Sequence, residues 1–268
     1  MAEPRRPLPA AHGSLAYGVP PSESGTLFVL AFSGGVRCEP GEGNQVTFGR
    51  NRPEVDVCVG EDDPRVSRTH GLFRHHTGAW WLHTSGRQPV RLPPARLHTS
   101  DEEPIALSQG YTPLFIRGSG KREHLLEVFV TGDDGRVPAP RHRDVTLPPT
   151  TWRLDDSERL ALVVLAQRYL LHDPFPQPLT WRDTAAELDE RQPDAGWTPR
   201  AVERLVERVR SRLSRVGGVA GLTRDEVGEP VGNTLNHNLI DELLRSTTLV
   251  PFDLNLLEEP GTGPGAAP

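Results

Sequence analysis

The chain has 268 residues, of which 35% are hydrophobic, and its 30 lysine and arginine residues against 36 aspartate and glutamate residues give a net charge of −6. This composition indicates a soluble protein of one or two domains, and the acidic balance counts against a broad affinity for nucleic acid. No apolar run approaches the roughly 18 residues of a membrane span, no signal peptide is visible, and two cysteines without CxxC spacing favour a reducing compartment. We therefore expect a cytoplasmic protein that contacts no membrane and binds no metal or cofactor.

The N-terminal half alternates between short apolar runs and turn residues. Residues 1–24 are rich in proline, alanine and serine, which predicts a disordered arm. Over residues 25–133 the runs include TLFVLAF, QVTFG, VDVCV, AWWLHT and HLLEVFV. Many short strands at this spacing are typical of an all-β sandwich. Residues 134–150 are rich in proline and lack periodicity, which predicts a linker.

One segment of the β-rich region, FGRNRPEVDVCVGEDDPRVSRTH at residues 48–70, concentrates groups that bind anions. Arg50 follows a predicted strand after Gly49, which lets the chain turn, and Ser67 and Arg68 lie in the loop after VDVCV. A guanidinium donates two parallel hydrogen bonds to a phosphate, and a hydroxyl and a second cation strengthen the site. Arg50, Ser67 and Arg68 are therefore expected to converge on one anion. The alternative is that they are solvated turn residues.

The paired motifs resemble those of the forkhead-associated (FHA) family. FGR is followed about 16 residues later by S-R-x-H, then by a W-x-L strand and a final LLEVFV, so that the resemblance covers residues 25–131. FHA domains are β-sandwiches that bind phosphothreonine peptides. The resemblance implies that Arg50 and Ser67 contact phosphate and that Arg68 contacts phosphate or the flanking peptide. It also implies that His70 is a structural hydrogen-bonding residue within its loop.

The loop after the W-x-L strand departs from the family pattern. Family members usually carry a Ser-x-Asn-Gly-like loop there, and its Asn binds the peptide backbone beside the phosphothreonine. Here the loop reads HTSGRQPVRL, with Ser85 and Gly86 but without Asn. We expect Thr84 or Ser85 to approach the phosphothreonine, with Arg87 or Gln88 as a partial substitute for Asn. A degenerate FHA fold that dimerises without phosphate is the alternative.

Residues 151–258 change to a helical period. Asp155 stands three residues before Glu158, the spacing of a capping box, and this predicts a helix that runs to about residue 172. A second helix is predicted from Thr180, and a third from the N-cap Thr198 to the glycine pair at 217–218.

A β-excursion is predicted over residues 219–233, before a last helix that starts at residue 234. This order of elements resembles a winged helix-turn-helix domain, in which the third helix is the recognition helix. Residues 259–268 are of low complexity and are predicted to be a disordered tail.

The third predicted helix carries a ridge of arginines at successive i, i+4 positions: Arg200, Arg204, Arg208 and Arg212. Residues 197–217 hold six arginines and two glutamates, whereas residues 151–268 as a whole hold 13 basic and 19 acidic residues. Like charges at this spacing repel mildly, so the ridge is not explained by helix stability. It predicts a helix that contacts guanine edges or phosphates of double-stranded DNA. The alternative is a solvated face in which Glu203 and Glu207 pair with the arginines.

No Walker loop, nucleophile elbow, kinase signature or HExxH motif occurs, so we expect no catalytic residues and no enzyme. The sequence predicts a bacterial signalling protein, of the actinobacterial type, with an FHA-like sandwich and a winged-helix-like domain. Its partner is predicted to be a phosphothreonine-containing protein, either a Ser/Thr kinase or a substrate of one, and its output the regulation of transcription. The alternative is a phospho-dependent adaptor whose helical domain binds protein and never DNA.

Overall fold

The structure is a computed structural model that describes residues 5–8, 13–93, 96–120, 122–132, 151–229 and 231–257. The chain divides into two compact units, Met1–Arg143 and Asp144–Pro268. The linker predicted for residues 134–150 and the tail predicted for residues 259–268 lie outside the described residues. No helix in these described ranges is long and apolar enough to cross a bilayer.

The N-terminal unit is a sandwich of two β-sheets, which confirms the predicted fold class. Its strands are β1 (Arg5–Pro7), β2 (Leu27–Ala31), β3 (Gly34–Cys38), β4 (Gln45–Gly49), β5 (Val57–Cys58), β6 (Gly71–His76), β7 (Ala79–Thr84), β8 (Val90–Leu92), β9 (Arg96–His98), β10 (Ile105–Ala106), β11 (Gly110–Arg117) and β12 (Glu123–Val130). One sheet has seven strands in the order β1-β3-β2-β12-β11-β8-β9, and the other has five in the order β10-β7-β6-β4-β5. Only the β4–β5 pair is parallel among these pairs.

Alternation along the strands places one set of side chains between the sheets. In β12, Leu126, Val128 and Val130 belong to this core. Glu127 therefore lies on the opposite, outer face of the seven-stranded sheet. Trp80 of β7 is the largest core side chain and is 1% exposed. The alternating apolar side chains that predicted the sandwich thus pack into one core between the sheets.

The segment before β2 differs from the predicted disordered arm where the structure describes it. Residues 5–7 add strand β1 to the edge of β3, and residues 15–17 form a 3-10 turn with Leu15 fully buried. The carboxylate of Glu127 accepts hydrogen bonds from the Ser14 hydroxyl at 2.6 Å and from the Leu15 N–H at 3.0 Å. Because a buried carboxylate is costly without such donors, these bonds hold the segment on the sheet.

The C-terminal unit is helical in its described residues, which confirms the helical region. Its helices are α1 (Asp156–Leu165), α2 (Gln167–Leu170), α3 (Trp181–Arg191), α4 (Pro199–Gly217), α5 (Arg224–Val227) and α6 (Thr234–Arg245), followed by a 3-10 helix (Pro251–Leu257). They surround an apolar core to which α1, α3, α4 and α6 contribute, including Leu162, Val163, Leu188, Val206, Val209, Leu239 and Ile240.

Local capping signals set several helix ends as predicted. Asp155 and Glu158 form the capping box of α1, and the Thr180 and Thr198 hydroxyls cap α3 and α4. Gly218 ends α4 in the left-handed conformation with φ 64°. The first helix is shorter than predicted, because the chain leaves helical geometry at residue 166 before α2.

The β-excursion predicted for residues 219–233 is wrong: residues 219–229 and 231–233 contain no strand. Thr223 and Glu226 form a capping box that starts the one-turn helix α5. The Glu226 carboxylate also accepts hydrogen bonds from the backbone N–H groups of Leu222 and Thr223, at 3.1 and 3.0 Å. These local bonds favour a helical turn over a hairpin, so the described residues contain no β-wing.

Candidate functional site

Three loops meet at one end of the sandwich. Gly71 at the start of β6 pairs with Phe48 near the end of β4 and with Thr84 at the end of β7, so the connections of these strands emerge together. The Arg50 N–H donates to the Ser67 carbonyl at 3.1 Å. The structure therefore brings the predicted residues Arg50 and Ser67 together, with Arg68 next to them.

Gly49 is required for the close approach of two loops rather than for a turn. It is the last residue of β4, and a Cβ there would lie 2.2 Å from the carbonyl oxygen of Arg68. Any side chain at this position would push the Ser67–Arg68 segment away from Arg50.

His70 connects the β5–β6 and β7–β8 loops from a fully buried position. Its Nδ1 accepts a hydrogen bond from the Ser67 N–H at 3.3 Å, and its Nε2 donates to the Gln88 carbonyl at 2.9 Å. These partners require the neutral tautomer with the proton on Nε2, and burial lowers the pKa of His70. A Cβ at Gly86 would lie 2.6 Å from the imidazole ring, so glycine lets the β7–β8 loop pack on it.

Ser67 is half-buried, and its hydroxyl oxygen is tied to the β7–β8 loop. The Arg87 N–H donates to the Ser67 Oγ at 3.1 Å, and this bond orients the hydroxyl. Because a serine hydroxyl both accepts and donates, its own hydrogen stays available for an anion. Arg87 and Ser85 are exposed in the same loop.

Arg50 holds a donor that the described residues leave unused. Its Nε is buried and has no hydrogen-bond partner among them. A buried donor without a partner costs about 1–3 kcal/mol, and an acceptor supplied by a bound anion would remove this cost. Arg68 is exposed and forms no ion pair with a described residue. The Arg50 Nε and the Arg68 guanidinium are thus donors that no described residue is seen to use.

Arg52 follows Arg50 in the β4–β5 loop, but its guanidinium group is already paired and is not free to bind an anion. Its Nε and one terminal nitrogen donate to the two carboxylate oxygens of Glu61, at 3.0 and 2.6 Å. This pairing joins the β4–β5 loop to the β5–β6 loop.

The prediction that Thr84 approaches a phosphothreonine is wrong. Thr84 is 7% exposed, and its Oγ1 is 2.8 Å from Nδ1 of the buried His98. Nε2 of His98 is 3.0 Å from the Glu103 carbonyl oxygen, so Nδ1 accepts from the threonine hydroxyl. Thr84 shares the inward face of β7 with Trp80 and Leu82, and this alternation was the signal for its burial.

Substituting Thr84 by valine is expected to lower the free energy of unfolding by about 1–2 kcal/mol, because Nδ1 of His98 loses its buried donor. Affinity for a phosphothreonine peptide should stay within about two-fold of the unchanged protein. Urea unfolding and peptide titration of Thr84→Val and Ser85→Ala would check this. A large loss of affinity in Thr84→Val at normal stability would restore Thr84 to the site.

The buried, neutral His70 predicts a pH effect. The folded pKa lies below that of the unfolded chain, so the unfolded chain binds the proton first and stability is lost as pH falls below about 6.5. NMR of the imidazole Hε1 should show that His70 keeps its neutral form at pH values where exposed histidines have titrated. A normal titration curve for His70 in the folded protein would contradict this.

Asp63 is a site residue that the sequence did not indicate. Its carboxylate, 2% exposed, accepts hydrogen bonds from the Ser119 N–H and hydroxyl at 2.7 Å each, from His124 at 2.9 Å and from the Arg65 N–H at 3.0 Å. Burial alone would raise the pKa of Asp63, but the bonds from His124 and Ser119 hold it well below its usual range. Asp63 thereby fixes the β5–β6 loop to the β11–β12 turn.

The arginines of α4 separate into two kinds. Arg200, Arg204 and Arg208 are exposed, and they form no ion pair with a described residue. Arg212 instead donates to both carboxylate oxygens of Glu158 at 2.8 and 2.7 Å, and to the Arg153 carbonyl at 2.9 Å. Arg212 is exposed as well, but these bonds join α4 to α1, and its contact with DNA stays a prediction.

Across the part of the chain that the structure describes, no group of three or more histidine, cysteine, aspartate or glutamate side chains is arranged to hold a metal ion.

Comparisons with known proteins concern the N-terminal unit. No protein-family model matches the chain, and no curated protein matches its sequence. The FHA-1 domain of Mycobacterium tuberculosis Rv1747 is 20% identical over 41% of this chain and 99% of that domain, with a TM-score of 0.31. The yeast Rad53 FHA1 domain is 20% identical over 40% of this chain and 72% of its own, with a TM-score of 0.32. Mycobacterium tuberculosis EmbR, solved with a low-affinity phosphopeptide, is 14% identical over 44% of this chain and 27% of its own, with a TM-score of 0.29.

Proposed function

We propose that the N-terminal unit binds proteins phosphorylated on threonine and that Arg50, Ser67 and Arg68 hold the phosphate. The observation that carries this is the buried Nε of Arg50, which lacks a partner among the described residues. A phosphate oxygen would accept from it in a charge-assisted hydrogen bond, the strongest kind available to a guanidinium. The resemblance of the two loop motifs to those of FHA domains supplies phosphothreonine as the ligand.

The bound phosphopeptide would contact the β7–β8 loop. This loop lacks the asparagine with which FHA domains usually bind the peptide backbone. Gly86 packs on His70, and the exposed residues Ser85 and Arg87 stand on either side of it in the chain. With fewer bonds to the peptide backbone, the phosphate should supply a larger share of the affinity. The partner is a threonine-phosphorylated protein, either a Ser/Thr kinase or a substrate of one.

Calorimetric titration of the full chain with a degenerate phosphothreonine peptide library and with its unphosphorylated counterpart tests this function. We expect binding to the phosphorylated library alone. Equal binding to both, or self-association that phosphate does not alter, would favour the alternative of a degenerate fold that dimerises without phosphate.

A second function, contact with double-stranded DNA, is favoured by one feature of α4. Arg200, Arg204 and Arg208 are exposed and free of ion pairs with the described residues, while Val202 and Val206 on the other side of the helix are fully buried. α3 and α4 would then act as a helix-turn-helix pair without a wing. We propose that phosphothreonine capture brings this surface to DNA; a surface that binds protein is the alternative.

Replacing Arg200, Arg204 and Arg208 together by alanine is expected to flatten the salt dependence of binding to a random duplex. Each phosphate contact contributes about 0.9 to the slope of log K against log salt, so three lost contacts lower its magnitude by roughly 2.7. Binding measured at several salt concentrations checks this, with Arg96→Ala as a control in the other unit. No duplex binding at low salt, or an unchanged slope, would favour the adaptor function.

A further inference from the structure

The N-terminal segment is fastened to the loop that carries Arg50. Residues 5–7 form β1, which pairs with β3 at the edge of the seven-stranded sheet. From this edge the Arg5 guanidinium reaches the Asp56 carboxylate at 2.7 Å. Asp56 stands directly before β5, which is the edge strand of the five-stranded sheet. One ion pair therefore joins the edges of the two sheets.

Asp56 closes the base of the β4–β5 loop, which begins at Arg50. Its Oδ2 accepts hydrogen bonds from the Thr47 N–H at 2.7 Å and from the Thr47 hydroxyl at 2.8 Å. The Asp56 N–H donates in return to the Thr47 hydroxyl oxygen at 3.1 Å. Because Thr47 lies in β4, these bonds hold the end of the loop against the strand from which the loop starts.

The strand pairing that Asp56 supports is short. β5 has two residues, which pair in parallel with the end of β4. The Val59 N–H donates to the Gly49 carbonyl at 2.9 Å, and the Cys58 thiol donates to the Arg50 carbonyl at 3.5 Å. Since so short a pair is marginal by itself, the side-chain bonds of Asp56 help to set where the Arg50 backbone lies.

Arg5 stabilises the Asp56 carboxylate in this position. The side chain of Asp56 is 19% exposed, and a carboxylate largely withdrawn from water needs donors or a cation. Thr47 uses Oδ2, and no described residue other than Arg5 donates to Oδ1. Without Arg5 the carboxylate would gain by turning towards water, and its bonds to Thr47 would weaken.

We propose that the N-terminal segment is a working part of the phosphate site and that Arg5 is a positioning residue. Through Asp56 it holds the β4–β5 loop, and with it Arg50, in the arrangement that receives phosphate. Arg5 acts on the loop and is not itself a phosphate ligand. This inference rests on the proposed function, and it gives a role to residues 5–7, which the sequence predicted to be part of a disordered arm.

Titration of full-chain variants with the phosphothreonine peptide library tests this role. Arg5→Glu places a second carboxylate against Asp56, so we expect repulsion to weaken binding roughly ten-fold. Arg5→Ala only removes the cation and should weaken binding roughly three-fold, as for a partly exposed ion pair. Arg6→Glu is the matched control, because Arg6 is exposed and forms no ion pair with a described residue. Its affinity should stay within about two-fold of the unchanged protein.

A double-mutant cycle tests whether the effect passes through Asp56. Asp56→Asn removes the charge that Arg5 binds, so adding Arg5→Glu to that variant should change affinity by less than about two-fold. NMR of the Arg50 Nε–H in the peptide complex supplies a readout that stability alone would not change. This proton should exchange with water faster in Arg5→Glu than in Arg6→Glu.

Three outcomes would overturn the positioning role. The first is equal affinity of Arg5→Glu and Arg6→Glu, and the second is a ten-fold loss that persists undiminished in the Asp56→Asn protein. The third is lower stability in urea with unchanged affinity and unchanged Nε–H exchange, which would make Arg5 a purely structural residue. Failure of the unchanged protein to bind the phosphorylated library would instead overturn the proposed function.

Discussion

Replacing Arg50 by alanine is expected to weaken binding of a phosphothreonine peptide by roughly two orders of magnitude. Loss of one partner of a desolvated charge pair costs about 2–5 kcal/mol, and each 1.4 kcal/mol is ten-fold in affinity. The free energy of unfolding should not fall, because the buried Nε has no partner among the described residues in the absence of ligand. Calorimetry with matched phosphorylated and unphosphorylated peptides, together with urea unfolding, checks both parts.

Two further variants test whether the loss of affinity comes from the guanidinium group of Arg50. Arg50→Lys keeps the charge but loses the planar fork, so its affinity should lie between those of the native protein and Arg50→Ala. Arg52→Ala is the matched control, because Arg52 stands two residues away and is already paired with Glu61; its affinity should change less than about three-fold. Similar losses in Arg50→Ala and Arg52→Ala would indicate general electrostatic attraction rather than a phosphate site.

Replacing Arg212 by alanine is expected to lower the free energy of unfolding of the helical unit by about 1–2 kcal/mol. The side chain of Glu158 is 6% exposed and that of Arg212 is 42% exposed, so a buried carboxylate loses its cation, but solvent screening makes the loss smaller than for a fully buried pair. Urea unfolding followed by helical circular dichroism measures the change. Arg208→Ala is the matched control one turn earlier on α4, and it should stay within about 0.5 kcal/mol of the native value.

A double variant separates the cost of the unpaired charge from that of altered packing. Glu158→Gln with Arg212→Ala removes both charges and keeps an N3 side chain that can close the capping box, so much of the lost stability should return. Equal destabilisation by Arg208→Ala and Arg212→Ala would show that the Arg212–Glu158 ion pair does not stabilise the helical unit. DNA affinity that falls in Arg212→Ala while stability is unchanged would return Arg212 to the surface ridge.

The parts of the fold that follow from local signals could be predicted from the sequence. Alternating apolar residues predicted the sandwich, and the side-chain caps at Asp155, Thr180 and Thr198 predicted where helices begin. The loop motifs predicted that Arg50 and Ser67 lie together, because loops that join strands of one sandwich end emerge side by side.

Interactions between distant positions could not be predicted in the same way. The Leu15 N–H binds Glu127, 112 residues further along the chain, so composition alone indicated a disordered arm. Arg212 and Glu158 are 54 residues apart, and the i, i+4 spacing of the arginines gave no sign that one of them points to α1. Asp63 shows the same limit, since its partners Ser119 and His124 come from the β11–β12 hairpin of the other sheet.

The most direct test of phosphate capture is NMR observation of the Arg50 Nε–H, assigned by comparison with Arg50→Lys. Addition of a phosphothreonine peptide should shift this resonance and slow its exchange with water, whereas the unphosphorylated peptide should leave it unchanged. An Nε–H signal that stays the same while the phosphopeptide shifts other resonances would contradict the proposed phosphate site, because the phosphate would then bind away from Arg50.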